Sequence, residues 1–281
     1  MTSVISTEPA VEPVTLQEAK TQMRVCDTAD DAYISTLITA ARQWVETQTG
    51  RAIVNQTWVD YRDLFADDMT LAIAPLSSVT SVKYYDTSGV LQTLAPSVYT
   101  ADTVPTPGRV VLAYAQSWPA VQDVVNAVQT TYVAGYGAAP TGKVFTAAAS
   151  DTCTSAAHGY AAGEAVTVST DNTLPAGLSA NTTYYVGSVL TNTFELFTSE
   201  ADSLDSTATA VDITDTGTGV HTITGTIVDG VPRALRQAIL LMIGHWYENR
   251  EATIVGVSIN EVPMAVKSLL WQYKVAPLGV C

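Results

Sequence analysis

The sequence predicts an α+β protein: a helical core with a small antiparallel sheet, plus an inserted all-β domain. Three observations lead there. Apolar residues recur at helical spacing between 15 and 49 and again after 232. Between residues 52 and 137 the period changes from 3.6 to 2. Residues 141–228 then differ in composition from both flanks. They hold nine acidic residues and one basic one, a net of −8, against eighteen acidic and twelve basic elsewhere, a net of −6.

The elements follow in order. Residues 1–13, rich in Thr, Pro and Glu, are expected to be a flexible N-terminus. A core of residues 14–140 and 229–274 comes next. Its first helix starts at Thr15, where Thr15-Leu16-Gln17-Glu18 has the form of a capping box. Leu16, Ala19 and Met23 give it one apolar side, and it should stop near Cys26. A longer helix over residues 30–49 is marked by Ile34, Leu37, Ile38, Ala41 and Val45. Thr28 is its expected cap, Asp30 and Asp31 sit where the helix dipole favours negative charge, and Gly50 suits the C′ position.

Alternation takes over at Thr57, Val59 and Tyr61. Residues 82–85 and 90–94 flank Asp86-Thr87-Ser88-Gly89 and read as a hairpin. Residues 108–114 and 124–133 are further strands, with Pro75, Pro96, Pro105, Pro107 and Pro119 between strands. The block 141–228 is dominated by Thr, Ser, Ala and Gly and shows short strand-like runs at 165–169, 183–189, 193–197 and 221–224. A structureless loop of that length is improbable, so a small β domain is predicted. Pro232 then opens a helix faced by Leu235, Ala238, Ile239, Met242 and Trp246. A linker over residues 252–260 leads to a last helix opened by Pro263, with Val266, Leu269, Leu270 and Tyr273 on one side. Residues 275–281 are expected to form an extended tail.

Composition narrows the function. Apolar residues make up 47% of the chain, enough for a sizeable core. Charged residues are 14%, below the roughly 25% of an average soluble protein, which is a hint of surfaces covered by neighbours. The formal net charge is −14 and no Lys/Arg run exists, so the basic patch of a nucleic-acid binder is missing. Cys26, Cys153 and Cys281 are far apart and odd in number, and imply no disulfide framework. The opening segment lacks a basic and then apolar region, so no secretory signal is predicted. The longest apolar run, residues 238–243, falls short of the ~18 residues that would mark a spanning helix. A soluble chain made in a cytoplasm is expected, with no membrane partner.

Chemistry-bearing residues are sparse. His245 shares a helix side with Glu248 and lies near Glu251, but two such groups lack the third ligand of a zinc site, and a surface ion-pair network with Arg250 is the simpler reading. His158 and His221 fall in the β block as turn and strand histidines. Asp212 and Asp215 lack EF-hand spacing. Gly135 and Gly217 begin no phosphate fingerprint. Cys281 has no partner that would mark a nucleophile. Trp246, Tyr247, Trp271 and Tyr273 lack the interleaved basic residues of a single-strand binding platform, and are expected in the core or at a subunit interface. The sequence therefore predicts no catalytic residue, no cofactor and no metal.

Several segments in this order resemble a known family. Val14-Thr15-Leu16-Gln17-Glu18-Ala19-Lys20 opens the series, and Ala74-Pro75-Leu76-Ser77-Ser78-Val79 and Gly135-Tyr136-Gly137 follow. Val231-Pro232-Arg233-Ala234-Leu235-Arg236-Gln237-Ala238-Ile239 and His245-Trp246-Tyr247-Glu248-Asn249-Arg250-Glu251 come next, and Leu269-Leu270-Trp271-Gln272-Tyr273 ends it. Over residues 13–137 and 229–274 the chain resembles the head–tail connector (adaptor) proteins of long-tailed bacteriophages. The departure is the block 141–228, which separates segments that lie close together in that family. With Ala157-His158-Gly159, Gly163-Glu164-Ala165-Val166 and Tyr184-Tyr185-Val186, this block resembles a small β module of phage structural proteins.

The resemblance implies a structural virion protein, not an enzyme. It implies a homo-oligomeric ring, usually a dodecamer, under the portal protein at the neck. The ring would extend the DNA channel without binding DNA specifically and would dock a stopper or tail-completion protein. Leu269, Leu270, Trp271, Tyr273, Lys274 and Pro277 are the residues expected to bind the portal. Arg42, Arg51, Arg109, Trp246, Tyr247 and Arg250 are expected at the subunit interface, where guanidinium groups pair bidentately with carboxylates. The competing reading is a virion surface module, a decoration or receptor- or glycan-binding protein acting through the inserted β domain.

Overall fold

The structure is a computed structural model and describes residues 2–138, 140–180, 182–226, 228, 230–250 and 264–275. Its elements are β1 (Thr2–Thr7), α1 (Leu16–Met23), α2 (Asp31–Thr49), β2 (Gln56–Arg62), β3 (Asp68–Thr70), β4 (Leu76–Tyr85) and β5 (Leu91–Thr93). β6 (Tyr99–Asp102), β7 (Arg109–Leu112), β8 (Val128–Ala134), β9 (Lys143–Ala147), β10 (Thr152–Thr154) and β11 (Ala165–Thr170) continue the order. β12 (Thr183–Gly187), β13 (Thr193–Phe197), α3 (Glu200–Leu204), β14 (His221–Gly225), α4 (Arg233–Glu248) and α5 (Met264–Trp271) complete it. The fold is α+β, and the chain divides into two compact units, Met1–Ala139 with Val228–Cys281, and Pro140–Ile227.

The first unit is built on α2 and α4. The capping box forms as its residues dictate: Glu18 N–H donates to Thr15 Oγ1 at 3.1 Å and Thr15 N–H donates to Glu18 Oε2 at 2.8 Å. Arg24, in a left-handed conformation with φ 58°, ends α1. The cap of α2 is Asp30 rather than Thr28, and its side chain makes no capping hydrogen bond. The Asp30 carboxylate is taken instead by Tyr247 and Arg250 of the α4 end. Gly50 closes α2 at φ 68°, where a side chain would be strained. Ile34, Leu37, Ile38, Ala41 and Val45 of α2 bury against Leu235, Ala238, Ile239, Met242 and Ile243 of α4, with Val266 and Leu270 of α5. Each large aliphatic side chain so buried contributes roughly 1.5–3 kcal/mol.

A five-stranded antiparallel sheet of order β1-β2-β8-β4-β5 accompanies the helices. Gln56 pairs with Ala134 and Arg62 with Val128 across β2 and β8, and Leu76 with Ala134 and Tyr84 with Val128 across β4 and β8. β8 is central, and its burial alternates residue by residue. The predicted hairpin forms, with Asp86 Oδ1 accepting from the Ser88 and Val90 amides at 2.9 and 3.0 Å. A second sheet of order β3-β7-β6 packs Met69 and Val110 into the core that holds Val82, Val128 and Tyr132. The expectation of a flexible segment over residues 1–13 needs correction. Thr2–Thr7 is a strand on the free edge of β2, and Glu8 and Glu12 reach Arg42. Proline and glutamate content hid an alternating run, Thr2-Ser3-Val4-Ile5-Ser6-Thr7, whose residues favour strands.

The second unit is a closed six-stranded barrel of order β10-β13-β12-β11-β14-β9. Closure leaves no sheet edge, and its inward residues Phe145, Cys153, Val166, Val168, Tyr184, Val186, Phe194, Leu196 and Ile223 make its core. Its two ends are adjacent, because β9 and β14 pair through Lys143 and Ile223 and a Cβ at Gly225 would lie 3.7 Å from Pro140 Cβ. In the first unit the two points where the chain leaves and returns are adjacent too. Gly230 has φ 90°, and a Cβ there would sit 2.6 Å from the Tyr136 carbonyl oxygen.

Candidate functional site

The register of the sheet gives the first unit two ends. At one end β2 and β4 begin, β8 finishes, and the C-terminus of α2 meets the residues after α5. Arg51 organises this end. Its Nε donates to the Tyr273 carbonyl oxygen at 2.5 Å, its Nη1 donates to Tyr136 Oη at 2.9 Å, and its guanidinium lies 5.8 Å from the Tyr136 ring centre. The Val275 amide donates to the Thr49 carbonyl at 2.8 Å and continues the chain along the end of α2.

α5 presents its outer side here. Val266 and Leu270 face the core, at 0% and 1% exposure, while Met264 and Trp271 are 87% and 77% exposed. Met264, Lys267, Trp271 and Lys274 follow one another at helical spacing, and residues 264–275 contain no acid. This is an apolar and basic stripe on an acidic protein. Of the six residues expected to bind a portal, Trp271 and Lys274 are exposed. Leu269 and Tyr273 are partly buried against the core, and Leu270 is inside it. Pro277 lies outside the described residues.

At the other end of the sheet the connections 63–67, 86–90 and 113–127 come together. The Asn126 amide donates to Asp63 at 2.8 Å, Phe65 stacks on Trp118 with ring centres 4.6 Å apart, and Gln122 N–H donates to the Tyr85 carbonyl at 3.0 Å. Leu64, Val90, Tyr114 and Val125 are exposed around them.

The residues expected between subunits are engaged within the chain. Arg42 is 3% exposed and contacts Glu12 and Glu46 at 2.8 Å each and Glu8 at 3.6 Å. Burial works against its charge, but the surrounding carboxylates prevail and hold its pKa above the ordinary arginine value. Glu46 shows the reverse balance: burial outweighs Arg42 and the Ile53 amide, and its carboxyl is pushed up. Arg109 pairs with Asp68 at 2.7 Å and Asp102 at 3.0 Å. Arg250 pairs with Asp30 at 2.6 Å and lies 4.8 Å from the ring centres of both Tyr33 and Tyr247. Tyr247 donates to the same Asp30 at 2.7 Å, and Trp246 packs on the helical core. With 27 acidic residues to 13 basic ones, Arg42, Arg109 and Arg250 each find a carboxylate within the chain, while Arg51 takes the Tyr273 carbonyl and the Tyr136 hydroxyl. Arg109 and Arg250 remain 42% and 49% exposed and keep a face for a neighbour. Arg250 answers to Asp30, not to His245 or Glu248 as the helix spacing suggested.

Neither histidine of the barrel has a ring nitrogen to spare. His158 Nε2 is 2.8 Å from the Leu190 carbonyl, and its Nδ1 accepts from the Tyr160 amide at 3.1 Å. His221 contacts Thr170 Oγ1 and the Thr216 carbonyl at 3.0 Å each. Asp215 Oδ1 accepts from the Ala176 and Gly217 amides at 2.8 and 2.9 Å, so it is a turn clamp rather than a calcium ligand. Among the described residues no group of three or more His, Cys, Asp or Glu is placed to hold a metal, and no helix is long and apolar enough to cross a membrane.

Residues 13–79, which run from the entry to α1 through β2 and β3 into β4, match the family of phage gp6-like head-tail connector proteins. Over that stretch the chain is similar to head–tail connector proteins. The match covers a shorter stretch than the resemblance over residues 13–137 and 229–274. No curated protein matches the chain. Three solved chains are similar to it, each at 14% identity, covering 100% of this chain and 99% of their own. One is from the virion of a native gene transfer agent particle, with a TM-score of 0.56. The others are from the neck of an empty gene transfer agent particle computed with C6 symmetry, at 0.53, and the neck of the native particle computed with C12 symmetry, at 0.51. At that identity the likeness is one of fold alone.

Proposed function

We propose that this chain is a structural subunit of a virion neck, one segment of a ring beneath the portal, and not an enzyme. The observation that carries the reading is the head–tail connector domain over α1, α2 and the start of the sheet, in a chain that shares its fold with neck components of a phage-like particle. The two-ended first unit suits a connector, which must meet one partner above and another below. The stripe of Met264, Lys267, Trp271 and Lys274 is the proposed portal-facing surface. The loop cluster around Leu64, Tyr114 and Val125 is the proposed face for a stopper or tail-completion protein. Exposed aromatic and methionine side chains beside lysines offer contact area and charge to an acidic partner.

DNA passes through such a ring without being held. The chain nets −14, and a ring multiplies that charge around a low-dielectric bore, which repels phosphates rather than gripping them. Negligible affinity for duplex DNA at physiological salt is expected in a fluorescence assay; submicromolar, salt-dependent binding would overturn the passive conduit. The ring itself is tested by mass photometry and negative-stain imaging of the purified chain. Closed rings, twelvefold or near it, are expected. A monomer at every concentration would count against the reading.

A further inference from the structure

We propose that β1 is an exchangeable arm, which in the ring pairs with β2 of the neighbouring copy instead of its own. This rests on the ring reading above. The arm has the features of a swapped element. β1 lies at the end of the sheet order and pairs with β2 alone, Thr2 to Tyr61 through Thr7 to Thr57, with a register irregularity between Ile5 and Thr7. It is joined to α1 by residues 8–15, a connector containing Pro9 and Pro13, and Val14 is buried in the helical core, so an arm that carries Glu8 and Glu12 with it hinges near Pro13. A hinge there lets the arm swing from its own body to a copy packed directly beside it.

The contacts that hold the arm are ones any copy supplies. They are a β2 edge, and the Arg42 guanidinium, which takes Glu8 and Glu12 from the connector and Glu46 from α2. An exchanged arm finds the same surface in the same geometry, so exchange costs no contact and gains the high local concentration of a ring.

The seat of the arm is incompletely filled. A cavity of about 480 Å³ lies beside Ile5 and Glu8, walled by Arg42, Glu46, Gln56 and Trp58. Trp58 Nε1 is buried with no acceptor among the described residues. An open cleft beside Ile5 leaves the strand fewer contacts to break on that side when it lifts. The strand itself is uncharged, rich in β-branched residues and free of proline, so nothing in it discourages pairing with another chain.

Val4 and Val59 are register partners and give the test. Two full-length chains of different mass, both with Cys26→Ser and Cys281→Ser, carry Val4→Cys and Val59→Cys respectively. They are mixed under denaturing conditions, refolded together and oxidised or treated with a short bis-maleimide. Exchange predicts covalent pairs of one heavy and one light chain. A chain bearing both substitutions is expected to yield a ladder of linked subunits from rings, and linkage within one chain from dilute monomer. Rings whose double variant links only within chains, with no heavy–light pair, overturn the exchange and leave the ring standing. The absence of any oligomer by mass photometry overturns the ring and the exchange together.

Discussion

At the residue scale the chain is governed by a shortage of cations. Arg42 shows the consequence, since one buried guanidinium serves three carboxylates drawn from two segments, the connector after β1 and α2. Its replacement by Ala strands Glu46, whose carboxyl is already pushed up by burial. A loss of about 3 kcal/mol is expected, at the low end for a broken buried pair because Glu8 and Glu12 keep access to water. A urea midpoint within error of the parent would refute this. Asp86 gives a pH-dependent case. The Val90 amide, the Gln92 side chain and the Ser88 amide hold its carboxyl below the ordinary carboxylate value. The stability it adds is therefore complete above the ordinary carboxylate range and is lost as pH falls through the lowered value. Asp86→Ala is expected to be less stable than the parent at neutral pH, the gap closing in strong acid. A gap that stays constant across that range would show that the hydrogen bonds do not depend on its charge. Sequence spacing had joined Arg250 to His245 and Glu248 within one helix; the partner is Asp30, which is 220 residues away in the chain.

At the element scale, α5 separates core residues from exposed ones on a single two-turn helix. Leu270 is in the core and Trp271, its neighbour, is exposed. Leu270→Ala is expected to cost about 2–5 kcal/mol of stability. Trp271→Ala with Lys274→Ala should leave the unfolding transition unchanged and weaken attachment to the portal. If the pair leaves attachment to portal rings intact in a co-sedimentation assay, the docking stripe lies elsewhere. Helices α1, α2 and α4 were readable from period and capping residues, since their apolar faces are set every third or fourth position. β1 was not. A six-residue strand following proline- and glutamate-rich neighbours carries too short a period, and only the vacant edge of β2 makes it a strand.

At the scale of the whole molecule, the barrel of Pro140–Ile227 is a compact unit with its own core. The two ends of the barrel are adjacent, and so are Tyr136 and Gly230 in the first unit. Replacing residues 140–227 with a short Gly/Ser bridge is accordingly expected to leave a soluble first unit with its helical circular dichroism and its ring formation intact. Aggregation or loss of the helical signal would show that the first unit needs the barrel in order to fold.

The sequence by itself determined the α+β class, the helices of the first unit, the hairpin at Asp86, the change of composition that marks the barrel, and a resemblance to head–tail connector proteins. All of these rest on local spacing, on capping chemistry or on an ordered string of short segments. Tertiary structure decided which carboxylate each arginine serves, which side of α5 faces outward, that β1 joins a sheet and that the β block closes into a barrel. Those outcomes depend on pairs far apart in the chain, Arg250 with Asp30 or Lys143 with Ile223, and a linear pattern does not specify which distant groups the packing brings within reach.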